Sequence, residues 1–107
     1  MSKYEIIYLN DQLRKTFTGG RVMLTIGVRA LNDKDQAELL NKVRTFDNFT
    51  PDNDPNQEHD FGAIEFKGET YFWKIDYYDH DYLYLSPDPT NEDLTNRVLT
   101  VMRGDEY

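Results

Sequence analysis

Thr70–Tyr78 reads TYFWKIDYY, and its period decides the fold class. Side chains alternate sides along a strand, so Tyr71, Trp73, Ile75 and Tyr77 share one face and Phe72, Lys74, Asp76 and Tyr78 the other. The first face is aromatic and aliphatic, and Trp73 and Ile75 are expected in the core. The second mixes charges with rings. Just upstream, Asp60–Phe66 (DFGAIEF) alternates too, and only Lys67-Gly68-Glu69 separates the runs. Two alternating runs joined by a short Gly-containing link form a β-hairpin.

Outward from the hairpin, Tyr82–Leu85 is read as a short added strand. Arg21–Leu31 (RVMLTIGVRAL) is apolar and β-branched, and lies between breakers too close for an amphipathic helix. It is read as a buried strand, with Gly27 marking a bulge or a close approach. Three helices are expected. The first spans about 3–16, with Ile6, Leu9 and Leu13 on one side and Arg14 and Lys15 near its C-terminal end. The second spans about 34–46, capped by Asp33 with Gln36 three residues on, and buries Leu39, Leu40, Val43 and Phe46. The last starts at Thr90, has Glu92 and Asp93 in its first turn, and buries Leu94, Val98, Leu99, Val101 and Met102. The order α-β-α-β-β-(β)-α describes one α+β domain over residues 1–107. It has two layers, a mostly antiparallel sheet of three to four strands packed with three helices.

A chain of 107 residues carries one core. With 38 % hydrophobic residues, 14 % aromatics and eight tyrosines, it is no disordered acidic tail. No run approaches the roughly 18 apolar residues of a membrane span, and MSKYEIIYLND lacks the apolar stretch of a signal peptide. There is no cysteine, hence no disulfide or thiolate site. A cytoplasmic bacterial protein is the expectation. The net charge of −8 is unevenly spread: residues 1–46 hold eight Lys/Arg and five Asp/Glu, residues 47–107 four and fifteen. Phosphates would be repelled by the acidic part, so neither direct nucleic-acid binding nor a membrane is expected, while a basic protein surface would be attracted.

The segment Asn53–Gly62, NDPNQEHDFG, invites a metal or catalytic reading. In an EF-hand frame from Asp52, position 6 is Gln57 and position 12 Ala63; from Asp54, position 6 is His59. The sharp turn at position 6 needs Gly, so neither frame works. Glu58, His59 and Asp60 are neighbours and would point to opposite sides of a strand. A three-ligand site from His59, His80 and a carboxylate would need the hairpin to bring them together; local hydrogen bonding by the two histidines is the preferred reading. No Ser sits beside a His, and Gly19-Gly20-Arg21 lacks the P-loop spacing and its Lys-Ser/Thr. No catalytic residue, metal or cofactor is therefore expected. The runner-up readings are a metal-dependent enzyme centred on Glu58, His59, Asp60 and His80, and a structural dimerising domain.

The segments GGRV, MLT and GV (19–28), NDP (53–55), EHDFG (58–62), WKIDYYD (73–79), SPDP (86–89), T-x-RVLT (95–100) and the terminal EY together resemble a bacterial family of small domains of unknown function. The resemblance spans nearly the whole chain. It implies an accessory protein of plasmids and other mobile elements, and supplies no activity. Asn56-Gln57 stands where that family more usually has an aromatic and a small residue, which argues against one fixed ligand geometry in the loop.

From Asp76 to Asp93 there are six acids and no Lys or Arg, with Tyr77, Tyr78, Tyr82 and Tyr84 interspersed. Aromatic platforms for single-stranded nucleic acid carry basic companions; acidic companions point to protein binding, where tyrosine is a common anchor. The expected partner-binding residues are Asp52, Asp54, Glu58, Asp60, Asp76, Tyr78, Asp79, Asp81 and Tyr82. The function expected is that of a small acidic inhibitor or adaptor on a basic protein surface of a nucleic-acid-processing complex. Carboxylates would imitate phosphates, which carry about one charge per 1.7 Å of duplex. An anti-CRISPR or anti-restriction role is the concrete form in the mobile-element setting.

Overall fold

The hairpin forms as its alternation requires. In the computed structural model, which describes residues 3–107, β2 (Phe61–Phe66) and β3 (Glu69–Tyr78) pair antiparallel, Gly62 opposite Trp73 and Ile64 opposite Tyr71. Lys67 and Gly68 both have positive φ, 52° and 82°. That is the type I′ geometry whose twist matches the flanking strands. Gly62 is dictated by space: a Cβ there would lie 2.4 Å from the Trp73 indole nitrogen.

Before the hairpin come α1 (Lys3–Thr16), β1 (Arg21–Leu24), a single-turn helix α2 (Ile26–Arg29) and α3 (Asp33–Arg44); after it comes β4 (Asn96–Arg103). The sheet order is β1-β4-β3-β2, with β1 parallel to β4 and the other two pairings antiparallel. The fold is α+β with a four-stranded, mostly antiparallel sheet and three α-helices. The helices are not all the expected ones.

The segment 90–102 is not a helix. A 3-10 turn at Glu92–Leu94, capped by the Asn91 side chain rather than by Thr90, leads into strand β4. Because β4 is central, Val98, Leu99, Val101 and Met102 are buried on both of its faces. A run buried on both faces loses its period of two and imitates a helical stripe. Arg21–Leu31 is a strand only to Leu24. Beyond it, the Glu106 carboxylate accepts from the Thr25 hydroxyl at 2.6 Å and from the Gly27 N–H at 2.7 Å, closing the first turn of α2. Gly27 is a close approach rather than a bulge, since a Cβ would lie 2.4 Å from Glu106 Oε1. In α3 the cap is Asn32, whose side chain accepts from the Asp35 N–H at 2.8 Å, one residue before the expected Asp33. Tyr82–Leu85 adds no strand; Leu85 makes an isolated bridge to Tyr78.

The core lies between the helices and one face of the sheet. Trp73 is fully buried with Leu13, Val28, Leu39, Val43, Leu99 and Val101, and Phe46 and Phe49 meet its indole edge-on. The opposite face of the sheet carries Phe72, Lys74, Asp76 and Tyr78 from β3, with Val98, Thr100 and Met102 from β4. Val98 and Met102 are buried but lie outside the main core cluster.

Candidate functional site

The sheet and α1 are joined by buried polar groups. Asn10 is fully buried on α1, next to the Leu9 and Leu13 stripe. Its amide donates to the Glu58 carbonyl at 2.9 Å and to the Tyr77 hydroxyl at 2.7 Å, and its oxygen accepts from Arg97 Nε at 2.7 Å. Tyr77 in turn donates to the Glu58 carboxylate at 2.8 Å. Burial pushes the Tyr77 hydroxyl well above its ordinary value, with Asn10 opposing, so it stays a neutral donor. Arg97 also donates to the Pro89 carbonyl and lies over the Tyr77 ring. Burial lowers its guanidinium, opposed by the charges of Glu92 and Glu58 among others. Arg97 therefore ties α1 to the 86–90 segment.

A second knot fixes the 47–60 loop. Buried Arg14 donates to the carbonyls of Val43 at 3.1 Å, Arg44 at 3.2 Å and Phe46 at 2.7 Å, closing the C-terminal end of α3. It also pairs with Asp11 at 3.0 Å. His59 stacks flat on Phe49 at 3.8 Å and bonds Asp11 through Nδ1 at 3.0 Å. Asp54 is buried, and its Oδ1 accepts from the N–H groups of Glu58 at 3.0 Å and His59 at 3.2 Å. Those bonds hold Gln57 and His59 at positive φ, 55° and 54°.

Of the expected partner-binding residues, Asp54 is thus an internal loop brace rather than a displayed charge. Asp60 lies among other acids: burial first, then the charges of Glu58, Asp54 and Asp76, raises its carboxyl above its ordinary 3.8. Asp76 pairs with Lys74 at 3.1 Å. Asp79 accepts from the N–H groups of Asp81, Leu83 and Tyr84 and shapes its own turn. Asp52 and Asp81 are exposed. Tyr78 and Tyr82 form a ring pair at 6.1 Å, and the Arg21 guanidinium covers Tyr82 at 4.9 Å. His80 is exposed, and among the described residues no group of three or more His, Asp or Glu is placed to hold a metal.

A larger concavity lies elsewhere. A cleft of about 630 Å³ opens between α1 and the 88–93 segment. Tyr4, Glu5, Tyr8 and Leu9 form one wall, and Asp88, Glu92 and Asp93 stand on the other; no Lys or Arg lines it among the described residues. Tyr4 and Tyr8 are 80 % and 68 % exposed. Their spacing of four puts both rings on one side of α1. The Thr90 hydroxyl and N–H, at 2.6 and 3.1 Å, hold Asp88 below the usual carboxylate range, so it remains charged. Three carboxylates, Asp88, Glu92 and Asp93, thus stand across the cleft from the two rings, and a fourth, Glu5, lies on the ring side. In the sequence, Glu92 and Asp93 read as helix-start anions, and Tyr4, Glu5 and Tyr8 are not among the expected partner-binding residues. The signal present was the Tyr-x-x-x-Tyr spacing on the polar side of α1.

Residues 24–106 match the family described as "Protein of unknown function (DUF3768)". The chain belongs to that family. The matched span begins in β1 and ends in the turn that follows β4, so it takes in the whole sheet except the first residues of β1. No curated protein and no solved structure matches the chain.

Proposed function

We propose that this member of the family is a small acidic binding protein that docks on a basic protein surface, with the cleft between α1 and the 88–93 segment at the centre of its docking face. One observation carries the reading. The cleft brings together Glu5, Asp88, Glu92 and Asp93 with two exposed tyrosines and no lining base among the described residues. An arginine or lysine inserted there meets carboxylates at its head and ring faces along its stem. Glu92 of this cleft and Glu58 both act on the Arg97 charge, and Glu58 acts in turn on half-buried Asp60. The net charge of −8 adds long-range attraction for a cationic partner. In its finer form the partner is the nucleic-acid groove of a processing complex, occupied as a phosphate mimic by a mobile-element-encoded inhibitor of anti-CRISPR or anti-restriction type. The family resemblance motivates that setting.

Competition tests it. A fluorescent DNA duplex is bound to a restriction enzyme or CRISPR effector of the host, and its anisotropy is followed as the protein is added. The expected result is displacement that weakens steeply with salt. Glu92→Lys with Asp93→Lys should reduce it by about tenfold or more. Equal displacement by wild type and the double variant, or no dependence on salt, overturns the cleft-centred reading.

A further inference from the structure

We propose that the uncovered face of the sheet is a self-association surface, and that a second copy of this chain covers it. Two adjoining cavities, of about 430 and 390 Å³, share Thr25, Tyr78 and Thr100 and so form one trough across this face. Tyr82, held under Arg21, stands at one end. Tyr107, packed edge-on against Phe72 at 5.3 Å and Phe61 at 5.9 Å, stands at the other. Val98 and Met102 line its floor and are nearly inaccessible, although neither belongs to the helix-covered core. Met23, on edge strand β1, is 52 % exposed beside them.

The chemistry selects the occupant. Interface centres are rich in Tyr, Met and Arg and poor in free carboxylates. The trough offers Tyr78, Tyr82, Tyr107, Met23, Met102 and Arg21. Its two carboxylates are already engaged: Asp76 pairs with Lys74, and Glu106 accepts from Thr25, Gly27 and Arg103. In a chain of net charge −8 this face is close to neutral. A basic partner gains nothing by choosing it over the acidic cleft. A second copy, repelled by the acidic surface, approaches at least cost here. Lys74 and Asp76 stand side by side at 3.1 Å. A two-fold axis through the trough sets Lys74 of one copy against Asp76 of the other, twice, which is the self-complementarity an isologous interface requires. The cleft between α1 and the 88–93 segment plays no part in this contact and stays free on both copies.

Sedimentation velocity on the full chain, from about 1 μM to about 1 mM, reads it. The wild type should pass from monomer to dimer within that range. Met23→Glu and, separately, Lys74→Asp should each raise the dissociation constant by about tenfold, because every change counts twice across the axis. Lys74→Asp combined with Asp76→Lys should recover most of the wild-type affinity. A wild type that stays monomeric throughout overturns the proposal. So does a dimer indifferent to both single variants, or a charge-swapped variant no better than Lys74→Asp. Circular dichroism confirms folding. Should Met23→Glu not fold, the Lys74 and Asp76 series decides alone.

Discussion

Strand β3 serves two different surfaces from one run of ten residues. On its helix side, Tyr71, Trp73, Ile75 and Tyr77 meet apolar partners or the Asn10–Glu58 network, and nothing there is free to bind. On its open side, Lys74, Asp76 and Tyr78 line a trough with rings at both ends, and Phe72 packs against Tyr107. The first surface is where stability resides; the second can change chemistry without loss of the fold. The contrast teaches where to look for function in this family: in what the sheet leaves uncovered and in what α1 and the 88–93 segment enclose, not in the buried polar groups.

Truncation should break the two sides unequally. Trp73→Ala empties the centre of the core, between Phe46, Phe49 and Gly62, and should cost about 3–5 kcal/mol by urea unfolding. Met23→Glu on the open side should change stability by no more than about 0.5 kcal/mol at concentrations where the chain is monomeric. Comparable losses from the two would erase the distinction between the faces.

Next in size is the network itself. Arg97→Met strips the donor from the Asn10 oxygen and from the Pro89 carbonyl, two groups in or near the interior. An unsatisfied buried polar group costs about 1–3 kcal/mol, so a loss of about 2–4 kcal/mol is expected by urea unfolding. Adding Asn10→Leu should cost much less than on its own, because the two residues share a bond. Additive losses would mean that Arg97 acts through something other than Asn10. Since Arg97 also anchors the 86–90 segment, Arg97→Met should loosen the acidic cleft as well.

Much of this was legible in the sequence, and the rest was hidden for identifiable reasons. Alternation in β2 and β3 and the period of α1 and α3 depend on which face is buried, and a burial pattern is written locally. β4 hid because it is central and its apolar residues are buried whichever side they point to, so Val98, Leu99, Val101 and Met102 read as a helical stripe. α2 hid because the acceptor that starts it, Glu106, arrives from the other end of the chain. Asn10 and Arg14 are polar residues four apart inside an apolar helix face, a clue to buried bonding whose partners no local pattern names. Charge asymmetry directed attention to residues 47–107, but it pointed to the 52–60 and 76–82 stretches and left Asp88, Glu92 and Asp93 outside the expected site. The facing wall of Tyr4, Glu5 and Tyr8 lies in the less acidic part of the chain and joins them only through the fold.

The smallest effect comes from Asp60, where the network side meets the acidic surface. Burial and the charges of Glu58, Asp54 and Asp76 raise its carboxyl above 3.8, so the folded protein holds this proton more tightly than the unfolded chain does. The sign follows: ionising Asp60 costs stability, the cost is absent below the ordinary Asp value, and it grows as pH rises from there through the raised folded value, staying constant beyond. Asp60→Asn keeps the shape and removes the charge. It should melt slightly above the wild type at about pH 7 and together with it at about pH 3. A variant that melts below the wild type at neutral pH would mean that the Asp60 charge is satisfied by a cation in the folded protein, and the crowding of carboxylates at the start of β2 would then no longer count as uncompensated charge available to a basic partner.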